Sequence, residues 1–124
     1  MIAIDTSSLV AYLAGTTGED VDVVAMAVEQ FQAVLPPVVL TEMLSDPTLS
    51  ANVRETLLDL PLLDVRDGYW ERAGRLRSRV LAKQRKARVA DALIAQSCLD
   101  ASVPLVTRDR DFRHFALAAG LALL

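Results

Sequence analysis

Short apolar runs and longer amphipathic ones alternate along this chain. Runs of strand length fall at residues 2–4, 34–35, 62–65, 104–107 and 121–124, without the regular polar positions of a strand that has one wet face. Between them lie segments of helical period. Residues 19–31 put Val23, Val24, Ala27, Val28 and Phe31 on one face. Residues 38–44 are led in by Pro36 and Pro37, and proline is tolerated in a first helical turn. Residues 52–60 make a short helix stopped near Pro61. Residues 69–84 set Trp70, Ala73, Leu76, Val80 and Leu81 inward and their arginines outward, and residues 90–101 repeat the pattern with Ile94, Cys98 and Ala101. Strands alternating with helices predict an α/β fold, a mostly parallel sheet of about five strands covered on both sides, in a single domain over residues 1–124. In such sheets ligands sit beyond the carboxyl ends of the strands.

Composition narrows the class. Hydrophobic residues make up 52% of the chain and aromatic ones 5%, so the core is aliphatic. A lone cysteine, Cys98, forms no internal disulfide, and Met1 leads straight into the first strand, so a reducing, cytoplasmic setting is expected. The longest apolar stretch, residues 115–124, falls short of the roughly 20 residues that span a bilayer, and no membrane partner is expected. The net charge of −3 conceals an asymmetry: residues 1–64 hold ten acids and one base, residues 65–124 six acids and twelve bases. Eight of those bases (Arg72, Arg75, Arg77, Arg79, Lys83, Arg85, Lys86 and Arg88) follow one another with no acid among them. That run is either a solvated helix face or an anion-binding surface.

Four acids stand where chemistry is expected. Asp5 and Asp109 each follow an apolar strand, at the same edge of the predicted sheet. Glu42 is a lone acid in an apolar helix entry, where an unpaired charge is costly. Asp91 shares the inward helical face of Ile94, Ala95 and Cys98. Each acid alone has an ordinary explanation: Asp5 or Asp109 as a helix cap, Asp91 as a partner for a helix dipole. Gathered together they repel, unless a divalent cation compensates. An oxygen-only donor set suits Mg²⁺ or Mn²⁺, whereas zinc prefers Cys or His. His114 reads as a surface or helix-end residue and Cys98 as a small core residue.

The pieces Ile4-Asp5-Thr6-Ser7, Thr41-Glu42-Met43-Leu44, Ala90-Asp91-Ala92-Leu93-Ile94-Ala95 and Thr107-Arg108-Asp109-Arg110-Asp111-Phe112 together resemble the PIN domain family, in particular the VapC-type toxin ribonucleases of toxin–antitoxin pairs. The resemblance implies a three-layer α/β/α sandwich and a magnesium-dependent endoribonuclease acting on RNA to inhibit translation. It implies Asp5, Glu42, Asp91 and Asp109 as catalytic and metal-binding acids, with Thr6 and Thr107 as supporting hydroxyls and Asp111 as a further acid that either reaches the metal through water or caps the next turn. It also implies a small cognate antitoxin, for which residues 19–31 and 57–63 offer apolar surface; core packing or a homodimer contact explains the same surface, and a homodimer is expected. Many relatives carry a glycine-containing loop before Asp91, and here the segment is Gln84-Arg85-Lys86-Ala87-Arg88. Arg85, Lys86, Arg88, Arg108 and Arg110 are the candidate RNA contacts.

Water activated by one or two ions would attack the phosphodiester in line and leave a 5′-phosphate and a 3′-hydroxyl. Phosphate contacts give affinity and salt dependence, and RNA shape or unpaired loops give specificity. Three other classes share parts of this pattern. A PIN-domain RNA-processing nuclease without a toxin role shares every motif. A metal-dependent adhesion module needs Asp-x-Ser-x-Ser, and Leu9 stands in the last place. A phosphoacceptor signalling domain needs a paired early acid and a late lysine, which residues 121–124 lack. Ser7 and Ser8 read as helix-start residues, because no histidine lies near to activate them.

Overall fold

In a computed structural model that describes Met1–Leu124, three short parallel strands form the centre. They are β1 (Ile2–Ile4), β2 (Ala33–Val34) and β3 (Leu105–Val106), in the order β2-β1-β3. Ile2 pairs with Ala33 and Ala3 with Val34 on one side; Ala3 pairs with Leu105 and Ile4 with Val106 on the other. Residues 62–65 and 121–124, expected as full strands, contribute one parallel bridge each, Leu35 to Leu62 and Leu105 to Leu123. At these edges a single register of bonds is enough: Leu35 N–H donates to Pro61 O and Leu63 N–H to Leu35 O, both at 2.9 Å. Pro61 has no N–H with which to extend the ladder.

Seven helices surround the sheet: α1 (Thr6–Leu13), α2 (Glu19–Glu29), α3 (Pro37–Leu44), α4 (Ala51–Asp59), α5 (Tyr69–Ala82), α6 (Val89–Ala101) and α7 (Arg113–Ala119), with a 3-10 turn at Arg110–Phe112 before the last. The helices pack in pairs, α1 on α2 and α5 on α6, and because the chain runs from β1 to β2 and then back past β1 to β3, the right-handed rule for parallel crossovers assigns the two pairs to opposite faces. The α6 helix is the most enclosed, with Ala92 and Ile94 through Cys98 buried on nearly every side. Its lone thiol, Cys98, sits in the core, where burial pushes its pKa up to about 12.

Helix phase departs from the sequence expectation in three places. The buried stripe of α5 is Tyr69, Ala73, Leu76 and Val80; Trp70, expected inward, is 62% exposed, and Leu81 is exposed too. Tyr69 takes the inner place because its hydroxyl can donate to Leu93 O at 2.7 Å, which satisfies the one polar atom it buries. The α2 helix stops at Glu29, and Phe31 turns left-handed (φ 56°) and stands 89% exposed rather than joining the apolar face. On α3, Val39 and Met43 face the core while Glu42 is exposed. Its charge therefore carries none of the burial cost expected of it.

Candidate active site

β1 is the strand at which the chain order diverges, and the residues just past β1 and β3 meet there. Asp5 lies directly after β1, with its backbone N–H on Val106 O at 3.0 Å and its side chain only 4% exposed. It stands at the N-cap of α1, yet its carboxylate caps nothing. Instead Oδ2 accepts two hydroxyls, Ser7 Oγ at 2.6 Å and Thr107 Oγ1 at 2.7 Å. Both donors fall on the same oxygen. Thr107 in turn accepts the Asp109 N–H at 3.0 Å, so one hydroxyl joins the ends of β1 and β3.

Asp109 takes the capping place, its Oδ1 accepting the Asp111 N–H at 2.9 Å at the start of the 3-10 turn, and its charge acts on Asp91. Thr6 donates to Glu42 Oε1 at 2.8 Å and draws α3 toward the start of α1. Asp91 stands in the first turn of α6, and its Oδ2 is buried with no hydrogen-bond partner. Burial first, then the charges of Asp109 and Asp5, push its pKa up to about 6; Arg88 opposes them and Glu42 adds a little. The four acids thus share one field. No three of them close as a ready group around a single ion, but Mg²⁺ keeps several waters and needs only one or two carboxylates. The oxygen-only donors fit such a cation, and the unpartnered Asp91 Oδ2 is an atom it would satisfy.

The basic residues divide into engaged and free. Arg108 lies along Asp20, with Nε to Oδ2 at 2.8 Å and NH2 to Oδ1 at 2.9 Å, and Ser8 donates to the same carboxylate at 2.8 Å. The hydrogen bond from Arg108 is the main reason that Asp20 titrates down at about 2. Arg108, expected as an RNA contact, is exposed but paired with Asp20 at the surface. Arg72 is likewise clamped to Asp100 at 3.0 and 2.6 Å, and Arg77 donates to Ala87 O at 2.8 Å. Lys86 stands 3.5 Å from Asp111 and Arg88 close enough to Asp91 to lower its pKa. Arg85 and Arg110 are exposed and outside any ion pair. Asp20 goes unremarked in the sequence, and Ser7, read there as a helix-start residue, also holds Asp5 Oδ2. The one available signal was the hydroxyl two places after a strand-end acid.

The sequence matches the PIN domain family over residues 2–117, a span that takes in all four acids, and the chain belongs to that family. Among solved structures it is similar to FitAB bound to an IR36 DNA fragment, at 22% identity and a TM-score of 0.73, covering 100% of this chain and 94% of that one. It is similar also to VapBC2 from Rickettsia felis bound to a promoter DNA fragment, at 19% and 0.71, covering 100% and 98%. VapBC-5 from Mycobacterium tuberculosis, a member of the VapBC family of toxin–antitoxin systems, follows at 21% and 0.67, covering 98% and 95%. No curated protein matches the sequence.

Proposed function

We propose that this chain is the nuclease toxin of a toxin–antitoxin pair, a Mg²⁺-dependent endoribonuclease that hydrolyses RNA phosphodiesters and thereby inhibits translation. PIN domains are nucleases, and the similar structures are toxin–antitoxin proteins. The observation that carries the reading is the bare, buried Asp91 Oδ2, which feels the charges of Asp109, Asp5 and Glu42. Asp5, Asp91 and Asp109, with Glu42, would hold Mg²⁺ or Mn²⁺, which when bound supplies positive charge for the phosphate and a water acidic enough to attack near neutral pH. Ser7 and Thr107 fix the Asp5 carboxylate through Oδ2 and leave its other oxygen clear. Thr6 fixes Glu42. Lys86 beside Asp111 and Arg88 beside Asp91 temper the negative field that would otherwise repel an RNA backbone.

A small antitoxin is the partner in this reading. A cavity of about 340 Å³ between α2 and α4, lined by Val28, Phe31, Ala33, Leu60 and Pro61 with Thr56 and Asp59, gives it a mostly apolar footing. The test uses purified protein and end-labelled RNA. Asp5→Asn and Asp91→Asn should each reduce Mg²⁺-dependent cleavage by roughly 100-fold or more with the circular dichroism unchanged. Undiminished cleavage in EDTA would sink the metal-dependent reading.

A further inference from the structure

We infer that the cavity between α5 and α7 is a nucleotide-binding subsite, one that seats the RNA strand leading to the carboxylates; the inference rests on the ribonuclease reading above. The cavity has a volume of about 500 Å³, and its lining includes Arg79, Val80, Lys83, Arg85, His114 and Leu117. Two chemistries meet in it. Val80 and the exposed Leu117 give an apolar wall that suits the face of a base, and Arg79, Lys83 and Arg85 give a cationic rim with no acid among the lining residues. Three other arginines are tied down, Arg72 to Asp100, Arg77 to Ala87 and Arg108 to Asp20, while Arg54, Arg75, Arg110 and Arg113 stand outside any ion pair but do not line this cavity. The three on this rim make no ion pair. Like charges left together and unpaired are the electrostatic footprint of a polyanion site.

One loop joins the cavity to the acids. Gln84, left-handed at φ 60°, turns the chain out of α5, and the loop that follows carries Arg85 on the cavity rim, Lys86 at 3.5 Å from Asp111 and Arg88 beside Asp91. His114 Nδ1 meets Lys86 O at 3.0 Å and ties this loop to α7. From Arg85 to Asp91 the chain spans at most ~20 Å, which a handful of nucleotides covers. A strand with one charge per nucleotide has a phosphate for the rim and further phosphates for the loop; an acidic protein segment has no such fixed spacing.

The test is binding of a fluorescent RNA dodecamer in EDTA, by anisotropy, over a series of salt concentrations. Arg79→Gln/Lys83→Gln should weaken binding several-fold and lower the slope of log affinity against log salt by about 1 to 2. Arg79→Glu/Lys83→Glu should weaken it at least tenfold. Leu117→Ser should weaken binding of the dodecamer but not of an abasic oligonucleotide of equal length. With Mg²⁺, the charge variants should raise KM for the dodecamer and leave kcat unchanged. Wild-type affinity and salt slope in both charge variants would overturn the subsite, as would loss of polyglutamate binding with RNA binding intact. If the wild-type protein cleaves RNA and the variants match it, the subsite alone fails; if it neither binds nor cleaves RNA, the ribonuclease reading fails with it.

Discussion

Asp91 is the residue at which structure and chemistry pull hardest against each other. Its carboxylate has one oxygen sealed from water without a partner, and its pKa of about 6 lies above the ordinary 3.8. Below 3.8 both folded and unfolded chains hold the proton, so folding costs nothing extra there. As the pH rises from 3.8 to about 6 the unfolded chain releases a proton that the folded chain keeps, and stability declines; above about 6 the whole cost is present. Asp91→Asn should therefore stabilise the metal-free protein at pH 7, by roughly 1 kcal/mol once the partial exposure of the group is allowed for. At pH 3.5 it should change little, and urea titrations at the two pH values measure the difference. Ser7 gives a second residue-scale prediction. Ser7→Ala removes one of two hydroxyls on Asp5 Oδ2, so the Mg²⁺ concentration for half-maximal cleavage should rise about 10-fold or more, with thermal stability nearly unchanged. The strand-end acids were legible because an apolar run stops abruptly at each. The role of Ser7 was not, because a serine after a strand-end acid reads equally as a helix-start residue, and only the fold shows its hydroxyl turned back onto Asp5 Oδ2.

Between elements, the tie that matters most is the one from α2 to the turn after β3. Asp20 and Arg108 close it with two parallel hydrogen bonds, and Gly18 makes room for it. At φ 154° Gly18 has a backbone that side chains rarely adopt, and a Cβ there would lie 2.7 Å from Asp20 Oδ1 and 3.0 Å from Arg108 NH2. Because Asp20 titrates lower folded than unfolded, at about 2 against 3.8, its contribution is present above 3.8 and is lost as the pH falls through about 2. Asp20→Asn should cost about 1 kcal/mol or less at neutral pH, since the pair lies at the surface, and it should release Arg108. Tighter RNA binding in the less stable variant, read by anisotropy beside a melting curve, is the expected result. Sequence patterning located all the helices except α7 but missed their phase at α5, where Tyr69 and Trp70 are adjacent and apolar period alone does not choose between them. The outer strands were overread for a related reason: short apolar runs at a sheet edge look like strands even where one bridge suffices.

At the scale of the molecule, the charge asymmetry of the sequence becomes a division of labour. The acid-rich first half supplies Asp5 and Glu42; the base-rich second half supplies Asp91 and Asp109 together with the loop of Arg85, Lys86 and Arg88 that runs beside them. No helix is long and apolar enough to cross a membrane, and the exposed apolar surface has another use in the reading proposed. Phe31 is its clearest mark: 89% exposed, held left-handed at φ 56°, at the edge of the cavity between α2 and α4. A left-handed backbone costs a side-chain-bearing residue roughly 1 kcal/mol, and nothing inside the fold repays it. Phe31→Gly should thus stabilise the isolated chain by about 0.5–1 kcal/mol, less a small loss of flexibility in the unfolded state. If the ring is an anchor for the antitoxin, the same substitution should weaken that complex by about 1–3 kcal/mol. Urea unfolding of the free protein and titration with the product of the neighbouring upstream reading frame measure the two effects separately. Opposite signs support a residue kept strained for its partner, whereas an unchanged complex removes Phe31 from the interface.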